Sequence, residues 1–174
     1  MRPILANSCA LATTAEEARY RIDAPIAGRR GARILALDDE AATIVRQAAQ
    51  QPWNGARFFV SAMPPRASDD SQPAGVNGQP DLALHRLDGS TVWLSEELIE
   101  ADVAVMVATT EGDGEAAEVI GRACVRRGIM TAGLVLGDPE KVEAAVFTLR
   151  PHAQVLLVTR DEADLVEILT ALRA

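Results

Sequence analysis

Lysine is almost missing from this sequence, because Lys141 is the only lysine among 17 basic residues. A phosphate loop of the G-x-x-x-x-G-K-[ST] type needs a lysine after its second glycine, so this loop is excluded. Schiff-base chemistry would depend on Lys141 alone. Lys141 follows "GDPE" at the predicted start of a helix, where we expect a solvated side chain.

Aromatic residues and clusters of basic residues are also scarce. Aromatics make up 3% of the chain, and the formal net charge is −8. Nucleic-acid binding needs lysine and arginine gathered on one surface, whereas the arginines here are scattered along the sequence. Few aromatic side chains are available for stacking on bases or sugars. We therefore expect no nucleic-acid partner.

The two cysteines, Cys9 and Cys124, have no C-x-x-C spacing and no neighbouring histidine. This excludes a disulfide framework or a zinc site of the usual spacing, and it suits a reducing compartment. No G-x-S-x-G motif supports hydrolase chemistry. The apolar part of the opening stretch is interrupted by Asn7 and Ser8 and is too short to span a bilayer. We expect a cytoplasmic protein that does not associate with membranes.

The sequence does contain enough apolar residues for one buried core. Hydrophobic residues form 48% of 174 residues, which favours a single globular domain. Residues 1–31 lack sustained periodicity and are interpreted as an irregular N-terminal arm. Residues 32–174 are interpreted as one Rossmann-like α/β domain, interrupted by a polar loop from Pro64 to Pro80.

Short apolar runs alternate with segments of helical periodicity throughout this domain. Runs such as "ARILALD", "DVAVMVATT" and "GIMTAGLVLG" predict buried strands, and "DLALHRLDGSTVWLS" predicts a hairpin that turns at Asp88-Gly89. Ser95 is predicted to cap the next helix, with Glu96 and Glu97 in its first turn. This order predicts a three-layer, doubly wound, mostly parallel sheet with helices on both faces.

Ligands of such folds bind beyond the carboxyl ends of the strands. This rule selects three loops: Leu37 to Glu40, Ala108 to Glu115, and Leu136 to Glu140. In the first loop, Asp38, Asp39 and Glu40 stand where a dinucleotide-binding protein carries glycines, which disfavours NAD in its usual pose. The simplest interpretation is that Asp38 or Asp39 caps the following helix.

The second loop lies in a segment with recognisable motifs. The helix after the loop begins with "AAEVI" at Ala116–Ile120, and the next strand begins with "GIMT" at Gly128–Thr131. From Asp102 to Leu136 the chain resembles tubulin/FtsZ-family GTPases, in which these motifs follow a G-G-G-T-G-[ST]-G phosphate loop. Here the loop reads "TTEGDGE" from Thr109 to Glu115. The resemblance implies a shared nucleotide-binding scaffold with a degraded phosphate loop, without GTP hydrolysis or filament formation.

Two functions follow from these patterns. The first is a noncatalytic domain without a cofactor, acting through ligand sensing or through association with itself, as a homo-oligomer, or with another protein. Its hypothetical ligand-binding residues are Thr109, Thr110, Gly112 and Gly114. The alternative is an Mg-dependent nucleotide-binding protein or enzyme, in which a metal bridges the phosphates. The carboxylates that would hold the metal are Asp38, Asp39, Glu111 and Asp113.

Overall fold

The structure is a computed structural model that describes residues 31–61, 81–110, 112–172 and 174. The strands are β1 (Ala32–Ala36), β2 (Arg57–Ser61), β3 (Ala83–Arg86), β4 (Thr91–Trp93), β5 (Val103–Ala108), β6 (Met130–Leu136) and β7 (Val155–Thr159). The helices are α1 (Asp39–Ala48), α2 (Leu94–Glu97), α3 (Gly114–Arg127), α4 (Glu143–Leu149) and α5 (Ala163–Ala171). A 3-10 turn, Leu98–Glu100, follows α2. The predicted 64–80 loop and, apart from Gly31, the predicted arm lie outside the described residues.

The strands form one mixed sheet in the order β4-β3-β2-β1-β5-β6-β7. Neighbouring pairs are parallel from β2 across to β7, and β3 and β4 are antiparallel additions at one edge. The predicted α/β class with a mostly parallel sheet is therefore confirmed. The chain runs outward from β1 to β4 and returns to β5 on the other side of β1, so its direction reverses between β1 and β5.

Apolar side chains from the central strands divide between two hydrophobic clusters. In β1, Leu35 joins one cluster with residues of α3 and α4, whereas Ile34 and Ala36 join the other with residues of α1 and α5. Successive residues of a strand point to opposite faces of its sheet. The central strands are therefore apolar on both faces, which explains why their sequences lack the alternation of a half-exposed strand.

The predicted hairpin turn is confirmed. Gly89 has a φ of +86°, and the Arg86 amide donates a hydrogen bond of 2.8 Å to the carbonyl of Ser90. The Asp88 carboxylate accepts from both the amide and the hydroxyl of Ser90. An aspartate followed by a glycine with positive φ gives the local bonding and backbone freedom that this turn requires.

The predicted N-cap role of Ser95 is wrong. Helix α2 begins at Leu94, two residues before the predicted start at Glu96, and its N-cap residue Trp93 makes no capping side-chain hydrogen bond. Ser95 instead donates through its amide and its hydroxyl to the Asp81 carboxylate. Asp81 is fourteen residues away. Its carboxylate accepts a hydrogen bond from a first-turn amide of α2, which is the role that the sequence pattern assigned to the Ser95 hydroxyl.

Within the described ranges, no helix combines the length and the apolar character needed to cross a membrane.

Candidate functional site

The candidate site lies at the carboxyl ends of β1 and β5, where the strand order reverses. The backbone joins the two loops there, because the Leu37 amide donates to the Val107 carbonyl at 2.9 Å and the Asp113 amide donates to the Leu37 carbonyl at 3.1 Å. In open α/β sheets the crevice at such a reversal is the usual place for a ligand. The side chains that occupy this place therefore decide what the crevice can bind.

The Asp38 carboxylate makes hydrogen bonds to both loops. One oxygen accepts from the Ala41 amide at 2.7 Å, which caps α1, and from the Thr109 hydroxyl at 2.9 Å. The other oxygen accepts from the Thr109 amide at 2.7 Å. The predicted capping of α1 by Asp38 is confirmed. The same carboxylate also ties the β5–α3 loop to the β1–α1 loop, and we call this arrangement the Asp38 clamp.

Helix α3 is capped in a similar way by Asp113. One oxygen of its carboxylate accepts from the amides of Glu115 and Ala116, each at 3.0 Å. The unpaired amides at a helix N-terminus are the groups that attract an anionic ligand. At both helices beside the crevice, a side-chain carboxylate accepts hydrogen bonds from first-turn amides.

The four hypothetical ligand-binding residues follow β5, but they differ in exposure and conformation. Thr109 is 4% exposed and engaged by Asp38, whereas Thr110 is exposed. Gly112 has a φ of +65°, and a side-chain carbon there would lie 3.2 Å from the β-carbon of Ala108. Gly114 is the first residue of α3. The local packing by itself favours glycine at position 112, so this glycine does not require a ligand to explain it.

The four hypothetical metal-binding carboxylates do not share one described cluster. Asp38 and Asp113 cap different helices, Asp39 is exposed in the first turn of α1, and Glu111 lies outside the described residues. Within the part of the chain that the structure describes, no three His, Cys, Asp or Glu side chains are grouped to hold a metal ion.

The third predicted loop carries an exposed ion pair. The Asp138 carboxylate accepts a hydrogen bond of 3.0 Å from Arg160, and this bond is the main cause that lowers the pKa of Asp138. Lys141 is exposed, as predicted, but it lies in the turn before α4 and not in the helix itself. Solvent screens an exposed pair of this kind, so it mainly connects the ends of β6 and β7.

A buried charge cluster near the amino ends of β1 and β2 was not predicted. Arg33 is 1% exposed and Glu97 is 5% exposed. Arg33 donates to the carbonyls of Glu97 and Glu100 at 3.0 and 2.6 Å. The Glu97 carboxylate accepts from Arg57 at 3.0 Å and from Arg86 at 2.6 Å. The sequence signal is an arginine inside the apolar run of β1, which requires a buried partner.

This charge cluster stabilises the structure at the edge opposite the candidate site. Arg33 and Arg57 stand side by side in the β1–β2 register. Burial and the nearby Arg57 charge lower the pKa of Arg33, while the charge of Glu97 opposes that shift. Glu97 therefore joins β1, β2 and β3 to α2 through three arginines, and we assign it a structural role.

Cys124 provides a test of how tightly α3 packs on the sheet. It is fully buried, and burial raises the pKa of its thiol to about 12. In a Cys9→Ser variant, we expect native Cys124 to react with a thiol-specific disulfide reagent roughly 1,000-fold more slowly than an exposed thiol, because the thiolate is the reacting form. Stopped-flow absorbance measures this rate. Equal rates in buffer and in denaturing urea would contradict the burial.

Neither a protein-family model nor a curated protein matches this sequence. The resemblance to tubulin/FtsZ-family GTPases therefore stays a prediction from residues 102–136.

Proposed function

We propose that the protein is a noncatalytic α/β domain of the three-layer, doubly wound, Rossmann-like type, which acts through association with another protein molecule. The division of β1 side chains between two clusters, each with its own helices, supports the three-layer arrangement. The Asp38 clamp is the observation that carries the noncatalytic assignment.

The Asp38 clamp opposes phosphate binding for two physical reasons. The amides of Ala41 and Thr109 already donate to a carboxylate at 2.7 Å, so a phosphate oxygen would have to displace it. A phosphate beside Asp38 and Asp113 would also meet like charge in a partly buried place, where repulsion is weakly screened. One first-turn amide of α1 and two of α3 are thus paired from within the chain, as expected of a degraded nucleotide-binding scaffold.

Support for association comes from apolar side chains that the described fold leaves in water. Among the described residues, seven large hydrophobic side chains are exposed: Leu87, Ile99, Val125, Met130, Phe147, Val155 and Leu157. Single exposed apolar residues are ordinary, but neighbouring ones are typical of a protein-binding surface. Val155 and Leu157 belong to the same strand, β7, at the edge of the sheet.

Thermal-shift titration tests the noncatalytic assignment. We expect ATP, GTP, NAD and FMN, each with and without Mg²⁺, to leave the melting temperature unchanged, because a ligand that binds only the folded state must raise it. A rise that needs both nucleotide and Mg²⁺ would support the alternative, a metal-dependent nucleotide-binding protein. A rise with nucleotide alone would contradict the proposed role of the Asp38 clamp.

A further inference from the structure

Apolar side chains are exposed at one corner of the sheet, on strand β7 and the start of β6. On the face that α1 and α5 cover elsewhere, Met130 is 54% exposed, Val155 is 59% exposed and Leu157 is 43% exposed. In the β6–β7 register, Val155 lies beside Ala132, and Leu157 lies beside the buried Leu134. We call Met130, Val155 and Leu157 the β7 corner.

The path of α5 explains why the β7 corner is exposed. This helix begins just beyond the carboxyl end of β7, and its residues Leu165 and Leu169 are buried in the cluster that includes α1. The chain then reaches the α1–β2 connection, where the carbonyl of Ala174 accepts from the Asn54 amide at 3.0 Å. Helix α5 therefore crosses the sheet diagonally, away from β7. None of the described helices covers the amino-terminal half of β7.

The backbone of β7 is also available for pairing. Among the described strands, β7 pairs with β6 alone and forms the edge of the sheet. Edge strands of soluble proteins are usually short or carry lysine, proline or charges that prevent pairing with another chain. The opposite edge, β4, has only three residues. In contrast, β7 has the five-residue sequence VLLVT, with neither a charge nor a proline.

We propose that two copies of this chain associate through antiparallel pairing of their β7 strands, about a two-fold axis at Leu157. The proposal rests on the proposed associating function and names its partner. An interface of this symmetry places the same patch on both chains, so its centre must tolerate contact with itself. Leu157 faces Leu157 of the second copy, and Val155 faces Thr159 of the second copy. None of these contacts brings like charges together.

The charges at the ends of β7 favour a second copy over an unrelated strand. The exposed Arg150 lies in the turn before β7. Three exposed charged residues follow the strand: Arg160, which is paired with Asp138, and the acids Asp161 and Glu162. Antiparallel pairing places the acidic end of one strand at the basic end of the other. Parallel pairing would place like charges together. The whole chain carries a net charge of −8, so two copies repel each other overall. The antiparallel arrangement reduces this repulsion at the strand ends, because the acidic end of one strand does not face the acidic end of the other.

The oligomeric state of the full chain tests this interface. We expect size-exclusion chromatography with light scattering to give twice the 18.5 kDa mass of one chain. Leu157→Lys should weaken the dimer at least ~100-fold, because two ammonium groups would meet at the axis. Val125→Lys is the matched control, since Val125 is a 70% exposed apolar residue on α3. Circular dichroism shows whether each variant is folded.

Cysteine crosslinking tests the axis independently of the lysine variant. In a Cys9→Ser background, Leu157→Cys should form a disulfide-linked dimer under mild oxidation, because directly paired positions lie within disulfide reach. Val125→Cys should not. A monomeric wild-type chain, or a dimer that survives Leu157→Lys and fails to crosslink at position 157, would overturn the β7 interface. Neither result would alter the nucleotide titration, so failure of the interface and failure of the noncatalytic assignment are distinguishable.

Discussion

Replacing Glu97 by glutamine should lower the free energy of unfolding by about 3 kcal/mol at neutral pH, since removing one partner of a buried ion pair leaves the other uncompensated. Glutamine keeps the shape of the side chain, so no cavity contributes to the loss. The buried Arg33 and its neighbours Arg57 and Arg86 would remain positively charged around a neutral amide. Urea denaturation followed by circular dichroism measures the change.

The effect of Glu97 should depend on pH in a defined direction. Burial raises the pKa of Glu97, and the hydrogen bonds from Arg86 and Arg57 lower it by more, so its net pKa lies below the usual value. An unfolded glutamate has a pKa of about 4.3. The stabilisation by Glu97 is therefore complete above that pH, and it is lost as the pH falls through the lower pKa of the folded state. The difference between wild type and Glu97→Gln should shrink in this acid range.

Glu96→Gln is the matched control for this experiment. Glu96 is the preceding residue of α2 and is exposed, so its replacement should change the free energy of unfolding by less than about 0.5 kcal/mol. Equal losses in the two variants would show that helix charge, not the arginine contacts, explains the effect. A pH-independent difference between wild type and Glu97→Gln would contradict the assigned pKa shift.

The fold class was predictable because strands that are buried on both faces have apolar sequences. The runs that became β5 and β6 are apolar nearly throughout, which is typical of parallel strands buried on both faces. The order of the strands was not predictable in the same way. Strand order depends on which faces pack together after the chain turns, and no local pattern reports on such distant contacts.

The helix caps and the Asp38 clamp also differ in whether the sequence could predict them, because some of their contacts are local and others join distant residues. Capping of α1 by Asp38 involves residues three apart, and the sequence pattern predicted it. The bonds from Thr109 to Asp38 join residues 71 apart, and only the alignment of β1 with β5 reveals them. The cap assigned to Ser95 was wrong for the same reason, because the competing acceptor Asp81 lies fourteen residues away, before β3.

Asp38→Ala should lower the free energy of unfolding by about 2–4 kcal/mol. Loss of an N-cap side chain costs about 1 kcal/mol. Loss of the acceptor for the buried Thr109 amide adds about 1–3 kcal/mol when that amide stays dry. Asp39→Ala is the control, because Asp39 is exposed and contributes only the few tenths of a kcal/mol of a charge near a helix N-terminus. Urea denaturation of both variants measures the difference.

A double-mutant cycle with Thr109→Val separates the Asp38 clamp from the cap. Only the clamp involves the Thr109 hydroxyl, so we expect a coupling of about 1 kcal/mol between Asp38→Ala and Thr109→Val. Removing the carboxylate should also free the amides of Ala41 and Thr109 for an anion. Inorganic phosphate should therefore raise the melting temperature of Asp38→Ala more than that of wild type. If the coupling energy were zero and phosphate raised both melting temperatures equally, Asp38 would act only as an ordinary helix cap. The proposed physical reason why this site does not bind nucleotides would then be wrong.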